Sequence, residues 1–295
     1  MANTIGIIGL GIMGGAMARN LIGAGWQVFG HDTDSARMAI PGLQARASAA
    51  AVAAETSLVL TSLPSVKAVM ATAEAIAATG LPTRTVIEAS TLALEDKLRF
   101  HDILTEAGHS PLDCPISGTG GQAITKDLVI YASGDPAAIA STRPAFAAFT
   151  RGVHDVGVYG NGTRMKLVAN LLVAIHNVAS AEAMVLGMKA GLDPKQVADL
   201  VMAGVGTSRV FELRAPMMVT QEYLPATMKV DIWQKDMDII GHFATALGVP
   251  TPTFSATLPI YAAAQAQGHG SDDTAAVCAV LENMAALKRK GFVGQ

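Results

Sequence analysis

The chain has few of the residues that mark metal sites, disulfide frameworks and nucleic-acid-binding surfaces. Its 295 residues include only two cysteines, Cys114 and Cys278, which are too far apart for a metal-binding or redox pair. We expect both to be reduced thiols. The seven histidines are scattered without HxxxH spacing, so we predict no metal site. Lys and Arg number 21 against 24 Asp and Glu, with no basic patch, and we therefore expect no nucleic acid as a partner.

Long uninterrupted apolar runs are also missing. None reaches the roughly 18 residues that a membrane-spanning segment requires. The apolar start, Ile5–Met13, is broken by glycines and lacks a basic segment before it, so it does not resemble a signal peptide. We therefore expect no membrane partner and a cytoplasmic location.

What the chain does have is length and apolar content. A chain of 295 residues is long enough for two domains or one large α/β domain. Hydrophobic residues make up 51% of it, which is enough to bury a large core and subunit interfaces as well. We expect a homodimer or a homotetramer.

Residues 4–32 have the complete context of a dinucleotide-binding unit. A β-rich run, Thr4–Ile8, is followed by a GxGxxG turn, a helical pattern, and a second strand, Trp26–His31, that ends in Asp32. In such a turn the first glycine allows the bend, the second lets a pyrophosphate approach, and the third lets the helix pack on the strand. The predicted phosphate-binding residues are Gly9, Leu10, Gly11, Ile12, Met13 and Gly14.

The residue that ends the second strand predicts which dinucleotide is used. A carboxylate such as Asp32 accepts hydrogen bonds from the adenosine ribose and repels a 2′-phosphate. Thr33 follows it where an NADP-binding chain would have an arginine, and we expect Arg37 to lie in a following helix. The pattern favours NAD over NADP.

Strands and helices continue to alternate up to about residue 150. The predicted strands are Leu58–Ser62, Thr85–Ala89, Pro111–Cys114 and Leu128–Ala132, and the predicted helices are Ser65–Thr79, Leu94–Ala107 and Pro136 to about Phe149. This alternation predicts a doubly wound, mostly parallel sheet of the Rossmann type with helices on both faces. Ligands bind such sheets at the carboxyl ends of the strands, where Leu63-Pro64, Ser90-Thr91 and Cys114–Gly118 fall.

The second half of the chain is predicted to be all-helical. It starts with a long helix, Gly160–Gly191, on which Lys166 and Asn170 share a strip of mostly small or polar residues. The later helices are predicted from Asp193 to Gly204, from Lys229 to Leu247, from Pro252 to Gln267 and from Asp272 to Lys290. We predict a dinucleotide-binding domain over residues 1–159, and the long interdomain helix with an all-α substrate and oligomerisation domain over residues 160–295.

Five motifs in order resemble the β-hydroxyacid dehydrogenase family, which includes 3-hydroxyisobutyrate dehydrogenase and tartronate semialdehyde reductase. They are the glycine turn with Met17, Asn20 and Leu21, then Asp113–Thr119, Gly160-Asn161-Gly162 with Lys166 and Asn170, Lys235-Asp236, and Gly268-His269-Gly270 with Asp273. The resemblance covers nearly the whole chain. It implies a Rossmann domain, a long interdomain helix and a helical C-terminal domain that forms oligomer contacts.

The resemblance also implies roles for individual residues. Lys166 would be the catalytic acid/base and Asn170 a substrate ligand. Ser117 and Gly118 would bind the substrate carboxylate. The remaining cofactor contacts would be Leu63, Pro64, Thr91 and Lys235. We interpret Asp113 and Asp236 as structural residues.

Three positions depart from the family's pattern. Thr119 replaces the second glycine of an SGG sequence, and we expect its hydroxyl to contact a polar group of the substrate, since a buried hydroxyl without a partner is costly. Lys126-Asp127 stands where Gly-Thr is usual, and Met228 stands where we expect an aromatic residue near the cofactor.

The predicted reaction is the NAD-dependent interconversion of a small 3-hydroxyacid and its semialdehyde. The cofactor exchanges the hydride, and Lys166 stabilises the alkoxide and transfers the proton. Two alternatives stay open: an imine reductase of the same architecture and a non-catalytic dinucleotide sensor. Lys166 and Asn170 argue against both. 6-Phosphogluconate dehydrogenase is not expected, since the chain lacks its much longer helical domain.

Overall fold

The first strand lies in the middle of a six-stranded sheet. The protein is described here by a computed structural model covering residues 3–289. The strands are β1 Thr4–Ile8, β2 Gln27–His31, β3 Leu43–Ala45, β4 Leu58–Thr61, β5 Thr85–Glu88, β6 Ser110–Asp113, β7 Ile116–Ser117, β8 Leu128–Ala132 and β9 Thr150–Asp155. The main sheet is parallel throughout, in the order β3-β2-β1-β4-β5-β6. This confirms the predicted doubly wound parallel sheet.

The helices of the first half alternate with these strands, and those of the second half follow one another. They are α1 Ile12–Gly23, α2 Ala49–Glu55, α3 Val66–Ala77, α4 Leu94–Glu106, α5 Gly120–Ile124, α6 Pro136–Phe146, α7 Asn161–Lys189, α8 Pro194–Ala203, α9 Arg209–Thr220, α10 Val230–Ala246, α11 Pro252–Ala266 and α12 Val277–Met284, with 3₁₀ turns at Ser35–Met38 and Thr274–Ala276. The predicted all-helical second half is confirmed over the described residues.

Apolar residues cover both faces of the main sheet. Ile5 and Ile7 of β1 belong to one core, with Met17 of α1, whereas Ile8 belongs to the other, with Val52 of α2. Burial on both faces is the reason that β1 reads as an almost continuous apolar run instead of alternating with polar residues.

Several elements were not predicted because their sequences carry weak periodic signals. The helix α2 is alanine-rich, although Ser48 caps it by accepting from the N–H of Ala51. The strand β9 reads TRGVHD and is mostly half-buried or exposed. The helix α9 contains Pro216, which is typical of a helix end more than of a helix interior.

Two other predictions were wrong in their details. The segment Leu128–Ala132 is a strand, but it lies in a separate three-stranded sheet, antiparallel to β7 and parallel to β9. The segment predicted as one helix over Asp272–Lys290 begins instead with the 3₁₀ turn, and α12 follows that turn. The side chain of Asp273 accepts from the N–H of Ala275 and so caps the 3₁₀ turn. Lys290 lies outside the described residues.

The chain divides into two compact units between Leu167 and Val168. This boundary lies eight residues beyond the domain boundary predicted after residue 159. The predicted division into domains stays a prediction. The difference arises at the start of α7, where Gly162 and Thr163 donate hydrogen bonds to Ser133 and Asp113 of the first unit. The first turn of the long helix therefore belongs to the sheet-containing unit.

Among residues 3–289, one helix is long and apolar enough to cross a membrane by length and composition alone. It is α7, with a mean hydropathy of 1.6, and half of its most apolar stretch is buried inside the protein. The core helix of a soluble protein passes the same test, so this feature is weak evidence for a membrane.

A buried ion pair fixes the second unit. Arg214 of α9 lies 3.3 Å from Oδ1 of Asp273, and neither side chain is more than 7% exposed. Oδ2 of Asp273 also accepts from the N–H and hydroxyl of Thr227 and from the N–H of Met228. One carboxylate therefore joins α9 to the segment that leads into α10.

Replacing Arg214 by Met is expected to lower the free energy of unfolding by about 3–5 kcal/mol, because it leaves a buried carboxylate without its cation. Urea unfolding followed by circular dichroism measures the loss. Arg209→Met is the matched control, since Arg209 lies on the same helix in an exposed ion pair with Glu212 and its replacement should change stability little.

The loss should also depend on pH. Burial by itself raises the pKa of Asp273, but Arg214, Thr227 and the N–H groups of Ala275 and Met228 outweigh it and hold that pKa below its ordinary value. The parent carboxylate therefore contributes stability at neutral pH that is lost on acidification. Without Arg214, the pKa of Asp273 should be higher than in the parent, because burial is then opposed by fewer groups. The loss of unfolding free energy should therefore be larger at pH 7 than at pH 5. Equal losses at both values would contradict this account.

Candidate active site

The first and third glycines of the turn after β1 leave no room for a side chain. Gly9 has φ +89°, and a Cβ built on it would lie 2.2 Å from the carbonyl oxygen of Ser62. A Cβ on Gly14 would lie 1.9 Å from the carbonyl oxygen of Gly9. Both glycines are therefore required for α1 to pack against the turn.

The middle glycine of the turn faces open space. Gly11 precedes α1, and a Cβ on it would meet only the guanidinium of Arg37, at 3.7 Å. The first turn of α1 has no acidic residue and no side-chain cap. A helix start of this kind offers N–H groups and the positive end of the helix dipole to an anion, so it fits a pyrophosphate.

Asp32 is fixed beside this turn. Its Oδ2 accepts from the N–H of Leu10 at 2.7 Å, and its Oδ1 accepts from the N–H of Asp34 at 2.9 Å. Arg37 lies in the 3₁₀ turn Ser35–Met38 instead of an α-helix, and its Nη1 is 3.8 Å from Oδ2 of Asp32. The structure thus places a cation next to the carboxylate, which the sequence spacing did not predict.

The other predicted cofactor segments begin where neighbouring strands end. The N–H of Leu63, two residues beyond β4, donates to Oγ of Ser90 at 2.9 Å. Ser90 and Thr91 follow β5, and the N–H of Ser90 donates to Oε1 of Glu88 at 3.0 Å. Because β4 and β5 are parallel neighbours, these segments lie at the same edge of the sheet, as predicted.

The predicted substrate motif forms a tight loop around a glutamine. Oε1 of Gln122 accepts from the N–H of Thr119 at 3.1 Å and lies 3.5 Å from its hydroxyl. Nε2 of Gln122 donates to Oδ2 of Asp127, which pairs with Arg151 at the other carboxylate oxygen. The hydroxyl of Thr119 therefore has a partner inside the chain, and the reason for expecting it to seek a polar group of the substrate does not hold.

The same loop explains one departure from the family's pattern. Lys126 has φ +61°, in the left-handed region that glycine adopts more easily. Lys126 therefore adopts a backbone conformation that a glycine at this position would adopt with less strain. Asp127 supplies the acceptor for Gln122.

Lys166 lies one turn into α7, whose start is tied to the end of β6. Oδ2 of Asp113 accepts from the N–H of Thr163 at 2.7 Å, and Oδ1 accepts from its hydroxyl at 2.8 Å. Gly162 donates from its N–H to Oγ of Ser133, and a Cβ on Gly162 would lie 2.6 Å from the carbonyl oxygen of Asp113. The side chain of Lys166 is only 9% exposed. The first turn of α7 is therefore tied to the start of the predicted substrate motif, and the catalytic role of Lys166 stays a prediction.

The second unit brings together three of the residues singled out in the sequence. Asn170 is 4% exposed, and its Nδ2 donates to Oδ2 of Asp236 at 3.2 Å. Nζ of Lys235 lies 3.5 Å from Oδ1 of the same carboxylate. Asp236 is therefore the residue that orients Asn170.

Comparison with known proteins places this chain in a family. Residues 4–160 match the model for the NAD binding domain of 6-phosphogluconate dehydrogenase, and residues 160–281 match the model for the NAD-binding region of NADP-dependent 3-hydroxyisobutyrate dehydrogenase. The L-threonate dehydrogenase of Cupriavidus necator is 31% identical over 95% of this chain and 97% of its own length. The chain belongs to the β-hydroxyacid dehydrogenase family.

Two further relatives agree with this assignment. The 2-hydroxy-3-oxopropionate reductase of Escherichia coli K12 is 30% identical, covering 95% of this chain and 98% of its own. The solved structure of Mycobacterium tuberculosis 3-hydroxyisobutyrate dehydrogenase with L-serine is 28% identical and has a TM-score of 0.86, covering 95% of this chain and 99% of that one. The predicted class is confirmed: this β-hydroxyacid dehydrogenase is an oxidoreductase that acts on hydroxyacids with NAD or NADP.

The geometry around Asp32 predicts which dinucleotide this β-hydroxyacid dehydrogenase prefers. We expect kcat/KM to favour NAD over NADP by at least about tenfold, because bringing a phosphate beside a carboxylate costs several kcal/mol. Changing Asp32 to Ser and Thr33 to Arg should shift the preference towards NADP. Steady-state kinetics with both dinucleotides measure it.

Arg37 provides the control. Its guanidinium lies beside Asp32, so Arg37→Ala should weaken the residual use of NADP and leave the use of NAD nearly unchanged. A parent enzyme that prefers NADP would show that Arg37 outweighs Asp32.

Proposed function

We propose that this protein interconverts a small 3-hydroxyacid and its 3-oxo or semialdehyde form with NAD, and that Lys166 is the catalytic acid/base. The observation that carries the proposal is the position of Lys166. It is a nearly buried lysine one helical turn after Thr163, whose N–H and hydroxyl are bound by Asp113 at the start of the predicted substrate motif. A cation held in this way suits a reaction in which negative charge develops on an oxygen.

The chain's own residues supply the proton and the electrostatic stabilisation. When bound, the nicotinamide dinucleotide accepts the hydride from the hydroxyacid or donates it to the oxo form. During oxidation Lys166 takes the hydroxyl proton, and during reduction its ammonium stabilises the developing alkoxide and then protonates it. The glycine turn, Asp32, Leu63, Pro64 and Thr91 of the first unit would hold the dinucleotide.

The substrate carboxylate is bound by Ser117 and Gly118 in this proposal. Ser117 ends β7. Gly118 follows it with φ +143°, and a side chain there would collide with Leu128, since a Cβ would lie 2.5 Å from it. Thr119 was expected among the ligands. Because both of its donors face Gln122, we now propose that Thr119 shapes the loop.

Asn170 contributes its amide to the substrate. Its Nδ2 donates to Asp236, which fixes the orientation of the amide group. Asn170 is one turn beyond Lys166 on α7, and residues at this spacing share a helix face.

The relatives' names support a substrate with a further polar group. The curated relatives in Cupriavidus necator and Escherichia coli K12 are named for L-threonate and 2-hydroxy-3-oxopropionate, both of which are hydroxylated acids. We infer that a polar-substituted 3-hydroxyacid is preferred to 3-hydroxyisobutyrate. We also propose a cytoplasmic location and a homodimer or homotetramer, as expected from the sequence.

Two other functions would use the same fold. An imine reductase would act without a catalytic lysine, and a dinucleotide sensor would bind NAD without turnover. A buried Lys166 supports neither. Formation of NADH from a panel of hydroxyacids distinguishes the dehydrogenase from the other two, since only the dehydrogenase produces it.

Lys166→Ala is expected to fold and to bind NADH with parent affinity, because the predicted dinucleotide contacts do not include Lys166. Its kcat should fall by at least about 10², the usual contribution of a positioned proton donor. Lys166→Arg should not restore activity, because a guanidinium does not give up its proton in proteins. Kinetics and NADH fluorescence titration measure the two effects separately.

The matched control is Lys189→Ala. Lys189 is an exposed lysine on the same helix whose Nζ donates to the carbonyl of Ala285, and its loss should leave kcat unchanged. Near-parent turnover by Lys166→Ala would remove Lys166 from the catalytic role.

Substrate preference gives a second test. The parent kcat/KM for glycerate or L-threonate should exceed that for 3-hydroxyisobutyrate by at least about tenfold, because a pocket built to bond a hydroxyl rejects an analogue without one. Thr119→Gly should lower both values and keep their ratio, since Thr119 is bonded to Gln122. Ser117→Ala should also lower both values, because both acids carry the carboxylate.

The outcomes separate the two interpretations of Thr119. A ratio that collapses in Thr119→Gly would restore the role expected from the sequence, namely contact with the polar substituent. A parent enzyme that prefers 3-hydroxyisobutyrate would contradict the inferred substrate class.

A further inference from the structure

Three charged side chains meet in the interior of the first unit. Nζ of Lys97 contacts Oε2 of Glu88 and lies 3.2 Å from Oδ1 of Asp113, and none of the three side chains has any exposed surface. Glu88 ends β5, Lys97 lies on α4 and Asp113 ends β6. We call these three residues the buried ion triad.

One carboxylate of the triad holds the start of α7. Asp113 binds the N–H and the hydroxyl of Thr163, and the hydroxyl of Ser133 donates to the carbonyl oxygen of Asp113 while accepting from the N–H of Gly162. Two consecutive residues in the first turn of α7 are therefore fixed. Lys166 is three residues farther along the same helix.

The other carboxylate holds the segments proposed to bind the dinucleotide. Oε1 of Glu88 accepts from the N–H of Ser90, and Oγ of Ser90 accepts from the N–H of Leu63. Leu63 and Thr91, the neighbour of Ser90, are both among the proposed cofactor contacts. The triad thus reaches both the proposed cofactor residues and the catalytic helix through its two acids.

Lys97 is the only cation of the triad. Two buried carboxylates and one ammonium carry a net charge of −1, and removal of the ammonium would leave two acids without their cation and with no exposed surface. Two carboxylates that share a site cannot both ionise easily, so one of them would take up a proton. A protonated acid loses acceptor capacity that the bound N–H groups now use.

We propose that Lys97 is a positioning residue for the reaction: its ammonium, bound to both Glu88 and Asp113, holds the proposed cofactor segments and the first turn of α7 in the working arrangement. This inference rests on the proposed function, because it assigns Lys166 to the chemistry. A buried ion cluster contributes little to stability compared with apolar residues of the same size, which favours a role in geometry.

The surroundings of the triad agree with this arrangement. Burial alone would lower the pKa of Lys97, but Glu88 and Asp113 outweigh it and raise the pKa above its ordinary value. Cys114 and Tyr159 are the other titratable groups that face the cluster, and burial raises the pKa of both. At neutral pH the ammonium therefore persists, and its two closest neighbours of opposite charge are Glu88 and Asp113.

The test compares Lys97→Met, Glu88→Gln and the double variant with the parent. In Lys97→Met we expect kcat to fall by at least about tenfold, since small misplacements of a reacting group cost up to about 10² in rate. The ratio of variant to parent kcat should decline further as pH rises from 6 to 9, because the second carboxylate then ionises against the first. The double variant has one acid fewer and should recover activity relative to Lys97→Met. Its ratio of variant to parent kcat should also change less between pH 6 and pH 9.

A second readout does not depend on turnover. Amide hydrogen exchange of peptides covering residues 160–167 should become at least about tenfold faster in Lys97→Met, while peptides from α8 stay unchanged. Thr163→Val should lower kcat with NADH affinity kept, and Thr163→Ser, which retains the hydroxyl, should restore it. Lys67→Met, an exposed lysine on α3, is the matched control and should behave as the parent.

The results separate failure of this inference from failure of the proposed function. A parent that forms no NADH from any hydroxyacid removes the proposed function, and the positioning role with it. An active parent whose folded Lys97→Met variant keeps its kcat, pH ratio and hydrogen exchange overturns the positioning role alone. If Lys97→Met does not fold, the Thr163 pair decides: equal kcat for Thr163→Val and Thr163→Ser overturns it.

Discussion

The first unit depends on the hydrogen bonds that gather at Asp113. Its two carboxylate oxygens take the N–H and hydroxyl of Thr163 and the ammonium of Lys97, and its backbone pairs with Ser133. A single residue at the end of a strand therefore joins a neighbouring helix, the strand end at Ser133 and the start of the long helix. Burying such a carboxylate without these donors and the ammonium would cost free energy.

The dinucleotide turn works by a different constraint, namely exclusion of side chains. Gly9 and Gly14 allow backbone atoms to approach so closely that any Cβ would collide with a carbonyl oxygen, whereas Gly11 leaves space for a ligand. Asp32 then fixes the turn through the N–H of Leu10. Because the residues of the motif, from Gly9 to Asp32, lie within about thirty residues of sequence, the motif can be recognised without a tertiary structure.

The second unit repeats the use of single acids in an apolar framework. Asp273 joins α9 to the segment before α10, and Asp236 orients Asn170. Only 15% of the residues are charged, so the apolar helices have few polar groups with which to fix their relative positions. A buried carboxylate that accepts several hydrogen bonds fixes the relative orientation of the elements it joins. Apolar contacts alone do not do so, because they are not directional.

The sequence by itself determined the alternation of strands and helices, the parallel sheet, the glycine turn and the helical second half, because each is written in short-range periodicity or in one continuous motif. The sequence also indicates that Lys97 is buried, because Lys97 lies on the same face of α4 as the buried residues Phe100 and Leu104, at spacings of three and seven. What it did not reveal is which residues meet. Glu88, Lys97, Asp113 and Thr163 come from four different elements, and Arg151 of β9 meets Asp127 in the loop after α5. Only the tertiary structure decided that Lys97 meets Glu88 and Asp113 and that Asp113 binds Thr163, because pairing between distant residues depends on how the elements pack and not on the local preferences that a sequence pattern records.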